Sequence, residues 1–379
     1  MHDALTISAE NQAILQHLAR ALELAEGFTL LFARCNLPAQ RDDALARLAT
    51  QGHALRRLDI GPRDSVIARL LEEDARAPAN SSLHVCNLET QMPHGEPHPP
   101  VLERLNLTRN ILRNLHHPVV FWLREENLTH MARGAPDFWA WRSGVFEFAP
   151  EPAWAEAVYQ QPRGGTLEWR ELPETEKSQR LVTLEGLVDD YRSLGDGEAE
   201  RNVRAELLLE LGNLYLRSYR IPSAQACLEE ALDLFRAVGA RLGEANVLQA
   251  IGDVQQFRKE MDAALASYAQ ALDLFRAVGA RLGEANVLSS LGQLYVLEES
   301  EKAEELLNEA IVIYQDIGSY YSVAAQIGNF GWTLLRLGAL DRARPYLFQA
   351  AKLFENMGLL DYAERHYYYA KLNSDSEEA

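Results

Sequence analysis

No lysine occurs before Lys177, no glycine lies between residues 28 and 51, and the 379 residues include only three cysteines. Each absence excludes something. Cys35, Cys86 and Cys227 are too few and too scattered for a disulfide framework, so the chain is expected in a reducing cytoplasm. No apolar run approaches the roughly 20 residues that a membrane span needs. The start MHDALTISAENQ has no basic residues followed by an apolar stretch, so no leader is expected. Positive charge is scarce, with a net charge of −18. A field of that sign opposes phosphate backbones and anionic lipid, and neither nucleic acid nor membrane is expected as a partner.

What is present is repetition. The string ALDLFRAVGARLGEANVL occurs at residues 231–248 and again at 271–288, a spacing of 40. Glycines recur in register at Gly212, Gly252, Gly292 and Gly331. Ala231–Phe235 recurs as Ala271–Phe275, Ala310–Tyr314 and Ala350–Phe354, and Ala224, Ala264, Ala303 and Ala343 fill the intervening turn-to-helix position. Small residues let two antiparallel helices approach closely, while Tyr215, Leu234 and Phe235 fill the space between units. Each unit is therefore a helical hairpin that cannot bury its apolar face alone, and the array is a solenoid. The pattern LG-x2-Y followed by Ala and Ala-Leu resembles the tetratricopeptide repeat (TPR), with four units over residues 203–357. Residues 176–194 read as the second helix of a partial unit, and 361–373 as a closing helix.

The resemblance implies binding of a protein partner on the concave face of the first helices. Offsets around each glycine place Asn213, Arg217, Asn246, Gln249, Asp253, Asn286, Gln293, Trp332 and Arg336 there. Such a groove is rich in amides, which hydrogen-bond an extended backbone without charge matching. Trp332 and Arg336 stand at one end as an anchor.

The first half alternates apolar runs with helical patterns. Strands are expected at Phe28–Cys35, Ala54–Ile60, Leu83–Leu88, Val119–Leu123 and Val145–Phe148, and helices at Asn11–Ala25, Asp42–Thr50, Arg63–Arg76, Val101–Leu115 and Glu126–Arg133. Such alternation predicts a parallel sheet covered on both faces, a three-layer α/β domain. The fold class is thus α/β plus all-α. The expected domains are 1–150, a linker at 151–175, and a superhelix over 176–379 that ends in an acidic tail.

The order of elements is similar to the core of the signal-transducing ATPases that include the NACHT and NB-ARC families, and APDFWAWRSGVFEF resembles bacterial repeat proteins of that general type. The resemblance implies that LFARCNLPAQRD stands where a phosphate loop belongs and LHVCNLE where an acidic magnesium-site strand belongs. The chemistry is missing. A phosphate loop needs glycines to wrap backbone N–H groups around the anion and a lysine to reach its outer oxygens. Here both are absent, and Asn87 takes the place of the acid, leaving Glu89. A degenerate phosphate loop without hydrolysis is expected. The alternative, a nucleotide-dependent switch with an atypical site, requires Arg34, Arg41 and Glu89 to converge at the end of the sheet.

Other chemistry is set aside. His84 and Cys86 share one face of a strand and Cys35 ends another, but a metal site needs three or four ligands, so these are read as core residues. His94-Gly95 matches the His-Gly pair of caspase-like proteases, yet the next cysteine is Cys227, inside the repeats. Arg109 and Arg113, with Arg124, are read as surface salt-bridging residues, the alternative being a small basic spot for an anion. No catalytic residue, metal or cofactor is expected. The sequence reads as a cytoplasmic, non-enzymatic interaction scaffold in bacterial signalling or defence, binding a protein partner or copies of itself.

Overall fold

A computed structural model of the chain describes residues 7–92, 99–160, 172–296 and 299–371. His94, Gly164-Gly165 of the expected linker and the acidic tail lie outside the described residues. The chain divides into two compact units, Met1–Leu234 and Phe235–Ala379. Among the described residues, no helix is long and apolar enough to cross a membrane.

The first unit opens with α1 (Ala9–Glu23), capped by the Ser8 hydroxyl, which accepts from the Asn11 N–H at 3.2 Å. It continues through β1 (Leu30–Arg34), α2 (Pro38–Thr50), β2 (Ala54–Asp59), α3 (Val66–Arg76) and β3 (Ser81–Cys86). Then follow α4 (Pro100–Leu112), β4 (Val119–Leu123), α5 (Glu125–Gly134), α6 (Pro136–Trp139) and β5 (Arg142–Glu147). The five strands form one parallel sheet in the order β2-β3-β4-β1-β5. Strand composition explains the order. VVFWL in β4 and SSLHVC in β3 are buried throughout and sit inside, whereas ALRRLD in β2 and RSGVFE in β5 keep exposed residues and form the edges.

Side chains alternate between two cores. Leu15 and Leu18 of α1 and Leu45 and Leu48 of α2 cover one face of the sheet with Ala33, Val120 and Trp122. Leu70 of α3, Leu102 and Leu105 of α4, Met131 of α5 and Phe138 cover the other with Phe32, Val85 and Phe121. This is the three-layer sandwich expected. β5 begins three residues earlier than the sequence pattern suggests, at Arg142. Cys86 ends β3 and Cys35 follows β1, strands that β4 separates, and both are buried, free thiols.

The first unit continues with α7 (Pro152–Tyr159), α8 (Glu174–Leu194), α9 (Glu198–Arg217) and most of α10 (Ile221–Val238). α8 packs on α9, as the second helix of a partial repeat should.

Among the described residues, the elements of the second unit are all helices. α11 (Arg241–Phe257), α13 (Arg281–Tyr295) and α15 (Tyr320–Arg336) each pair with the helix that follows. These partners are α12 (Met261–Val278), α14 (Ser300–Asp316) and α16 (Leu340–Asn356), and α17 (Leu360–Lys371) closes on α16. Gly239, Gly279, Gly318 and Gly358 end the second helices at φ between 69° and 74°, the left-handed conformation that glycine adopts without steric cost.

The glycines in register mark the helix contacts. A Cβ on Gly252 would lie 2.5 Å from the Tyr268 ring, and one on Gly331 would lie 3.0 Å from Leu347. Gly252→Leu is therefore expected to destabilise the chain by about 2 kcal/mol through overpacking between α11 and α12. Urea unfolding checks this, and an unchanged midpoint would refute the contact.

Candidate functional site

The loop after β1 runs from Cys35 through Asn36 to Leu37, and α2 starts at once on Pro38. α8 lies against this loop. Gly186 of α8 is so close that a Cβ there would stand 2.1 Å from the Asn36 carbonyl oxygen. Asn36 Nδ2 donates to Asp190 Oδ1 at 2.9 Å, and its Oδ1 accepts from the Glu125 N–H at 3.0 Å.

Arg124 is a buried cation at this end of the sheet. It follows β4, is 1% exposed, and donates to Asp189 at 2.9 Å while lying 2.6 Å from Glu185. The surface role read for it from sequence is thus corrected: its charge is satisfied inside, by carboxylates some 60 residues downstream. Arg109 does pair at the surface, with Asp137 at 3.1 Å, while Arg113 stacks over the Trp141 ring at 4.5 Å.

Of the three residues that a nucleotide site would require, two come near one another. Arg41 is buried, donates to Asp42 and Asn87 at 2.9 Å each, and acts electrostatically on Glu89. Glu89 is 3% exposed, and its Oε2 has no hydrogen-bond partner among the described residues. Burial pushes its carboxyl pKa up, against the pull of Arg41 and Arg124. Arg34 does not join them, because it pairs with Glu125 at 2.9 Å and Glu147 at 3.6 Å.

A cleft of about 750 Å³ opens beside Arg41, lined among others by Asp42, Arg57, Asp59, Asn87 and Gln179 of α8. Its guanidiniums are already engaged. Arg57 bonds Asp59 at 2.9 Å and Asp42 at 3.0 Å, and Asn87 Nδ2 donates to Asp59 at 2.8 Å. With Asp64 and Glu174 also on the wall, carboxylates outnumber guanidiniums four to two, an arrangement that disfavours a polyphosphate.

The thiols and the imidazole of this sheet are buried. Burial raises the Cys35 pKa strongly and pushes Cys86 up to about 12, and it lowers His84 to about 3. His84 Nδ1 accepts from Trp122 Nε1 at 3.0 Å, and its Nε2 lies 2.9 Å from the Ser82 hydroxyl. Among the described residues, no group of three or more His, Cys, Asp or Glu is placed to hold a metal.

The residues read as partner-binding lie on the first helices of the hairpins. In the first unit, Asn213 is half-buried on α9, and Arg217 is exposed at its end. In the second unit, Asn246, Gln249 and Asp253 are half-buried on α11, as are Asn286 and Gln293 on α13 and Trp332 on α15, whose end carries the exposed Arg336. They are not equivalent. Asp253 accepts from the Tyr268 hydroxyl and Asn286 from the Tyr314 hydroxyl, at 2.6 Å each. Trp332 Nε1 donates to His366 Nε2 at 3.3 Å, and its ring packs edge-on to Tyr369 with centroids 4.2 Å apart, so α17 covers part of it. Asn246, Gln249 and Gln293 make no side-chain hydrogen bond among the described residues. The difference between Asn246 and Asn286 has a local cause. Phe275 stands in the second helix where Tyr314 stands one unit later, and it has no hydroxyl to give.

No curated protein matches the chain. Solved structures give distant likenesses. One is aspartyl phosphate phosphatase F from Bacillus subtilis, at 11% identity and a TM-score of 0.47, over 100% of this chain and 83% of that one. BtubC from P. vanneervenii has 14% identity and a TM-score of 0.40, over 78% and 93%. A signal transduction ATPase with numerous domains and a tetratricopeptide repeat sensor, from Pyrococcus horikoshii, has 10% identity and a TM-score of 0.39, over 98% and 87%. The sequence model of the tetratricopeptide repeat matches residues 203–277 and 251–316. These segments hold the glycine-contacted hairpins α9/α10, α11/α12 and α13/α14. Residues 203–316 of this chain are tetratricopeptide repeats.

Proposed function

We propose that this chain is a non-enzymatic interaction protein of the cytoplasm. Residues 1–150 form its α/β domain, 151–175 a linker, and 176–379 a repeat region that binds a protein partner through the first helices of its hairpins. The repeats support an interaction role in general. One observation carries the choice against catalysis: α8 lies on the loop after β1, with Gly186 against the Asn36 carbonyl and Asp190 on the Asn36 amide. An anion held by that loop would need the space and the donor that α8 uses. Self-association and a place in bacterial signalling or defence belong to the same reading.

Within the repeats, Asn246, Gln249 and Gln293 are the residues best suited to meet a partner, because their amides serve nothing else. Asp253 and Asn286 also hold tyrosine hydroxyls, so changing them confounds binding with stability. Replacing Asn246 and Gln293 together by alanine is expected to weaken binding of a partner captured from the native host by about tenfold, with little change in melting temperature. Unaltered binding in the double variant would refute this surface. ATP hydrolysis abolished by Glu89→Gln would favour the nucleotide switch instead.

A further inference from the structure

The end of the sheet beneath α8 holds more buried acid than buried base. Glu89, Glu185, Asp189 and Asp190 are each at most 3% exposed, and the buried guanidiniums beside them are those of Arg41 and Arg124. Arg124 is committed to Glu185 and Asp189, and Arg41 to Asp42 and Asn87. Arg192, partly exposed, also reaches Asp189 at 3.1 Å, which leaves Glu89 and Asp190 as the two acids with no ion pair among the described residues, and carboxylates buried in that way do not all stay ionised.

The surroundings decide where a proton goes. Asp190 receives one hydrogen bond, from Asn36 Nδ2, and its Oδ2 is buried with no partner among the described residues. The charged and titratable groups facing it are Asp189 on its own helix, Arg34 and the Cys35 thiol at the end of β1, and Glu125 at the start of α5. Two of these are carboxylates that repel an anion, and Arg34 is drawn away by Glu125 and Glu147.

We propose that α8 is a proton-latched strap: Asp190 docks on the loop after β1 as the neutral acid, and its ionisation loosens the helix from the sheet. Burial, with Asp189 and Glu125 adding to it, pushes the Asp190 carboxyl up to about 7. The direction follows from that rise. Docking takes up a proton at any pH between the ordinary carboxylate value of about 4 and the docked value. The strap is therefore fully held at acidic pH, loosens as pH rises through this window, and changes no further above it. Because α8 packs on both the β1 loop and α9, the latch makes the coupling of the sheet to the first repeat helix sensitive to pH near neutrality.

Hydrogen exchange of the full chain between pH 5 and 8 tests the latch. One proton changes the opening equilibrium by up to tenfold per pH unit. The protection factor of α8, corrected for intrinsic exchange, is expected to fall by up to about a hundredfold from pH 5 to 7. Asp190→Asn, which copies the neutral acid, is expected to hold protection level across that range. A wild-type chain with no slope, or an Asn variant with the same slope, would overturn the proposal. Carbon NMR of the wild-type Asp190 carboxyl, assigned through its own backbone, gives a readout that survives a misfolded variant. A midpoint near 7 supports the latch, and one below 5 overturns it.

Discussion

Arg124→Met is expected to cost the first unit about 3–5 kcal/mol, the range for leaving one side of a buried ion pair without its partner. The guanidinium lies between Glu185 and Asp189, at 2.6 and 2.9 Å, and those carboxylates are 3% exposed. Without it Asp189 still meets the partly exposed Arg192 at 3.1 Å, but both acids must ionise in a poorly solvated place or take up protons. Their folded-state pKa values would then rise above the unfolded ones, so the penalty should be largest at pH 7–8 and shrink as pH falls toward 4. Urea unfolding of both proteins at pH 5 and pH 8 measures this. Arg124→Lys should recover only part of the loss, since one ammonium cannot present the two-sided fork that meets both acids. Equal stability of Arg124→Met and wild type at pH 8 would mean that α8 is not held by this pair.

Gly186→Ala should be the most disruptive alanine substitution among the described glycines. In most helices this change gains about 1 kcal/mol of propensity. Here the new Cβ would stand 2.1 Å from the Asn36 carbonyl oxygen and 2.9 Å from its carbon. The obstacle is backbone and cannot rotate aside as a side chain does, so α8 must lift. A net loss of about 3 kcal/mol is expected, at the upper end of overpacking, together with faster exchange in α8. Gly61→Ala is the control, because its nearest neighbour is the Asp64 carboxylate at 3.4 Å and its effect should stay within about 0.5 kcal/mol. Thermal unfolding that treats the two variants alike would refute the close approach.

Local pattern was enough to read much of this molecule. The 40-residue repeat states which glycine meets which helix, because helix contacts within a hairpin lie close in sequence and recur with its period. The five strands and their helices follow from apolar runs bounded by breakers, and the absence of glycine and lysine from the first loop is a fact of sequence. What occupies that loop was not legible. The stretch EKSQRLVTLEGLVDDYRSL reads as one more repeat helix. The tertiary structure places Leu181, Leu184, Val188 and Tyr191 around a helix buried on more than one side, so no single apolar stripe announces its two contacts. Asn36 and Asp190 are 154 residues apart, and Arg124 and Asp189 are 65 apart. Periodicity reports the neighbours of a residue along its own element. The pairing of buried charges depends on which elements the fold brings together, and only the packed chain decides that Arg124 is an interior cation, that Asn286 holds a tyrosine while Asn246 does not, and that α8 covers the end of the sheet.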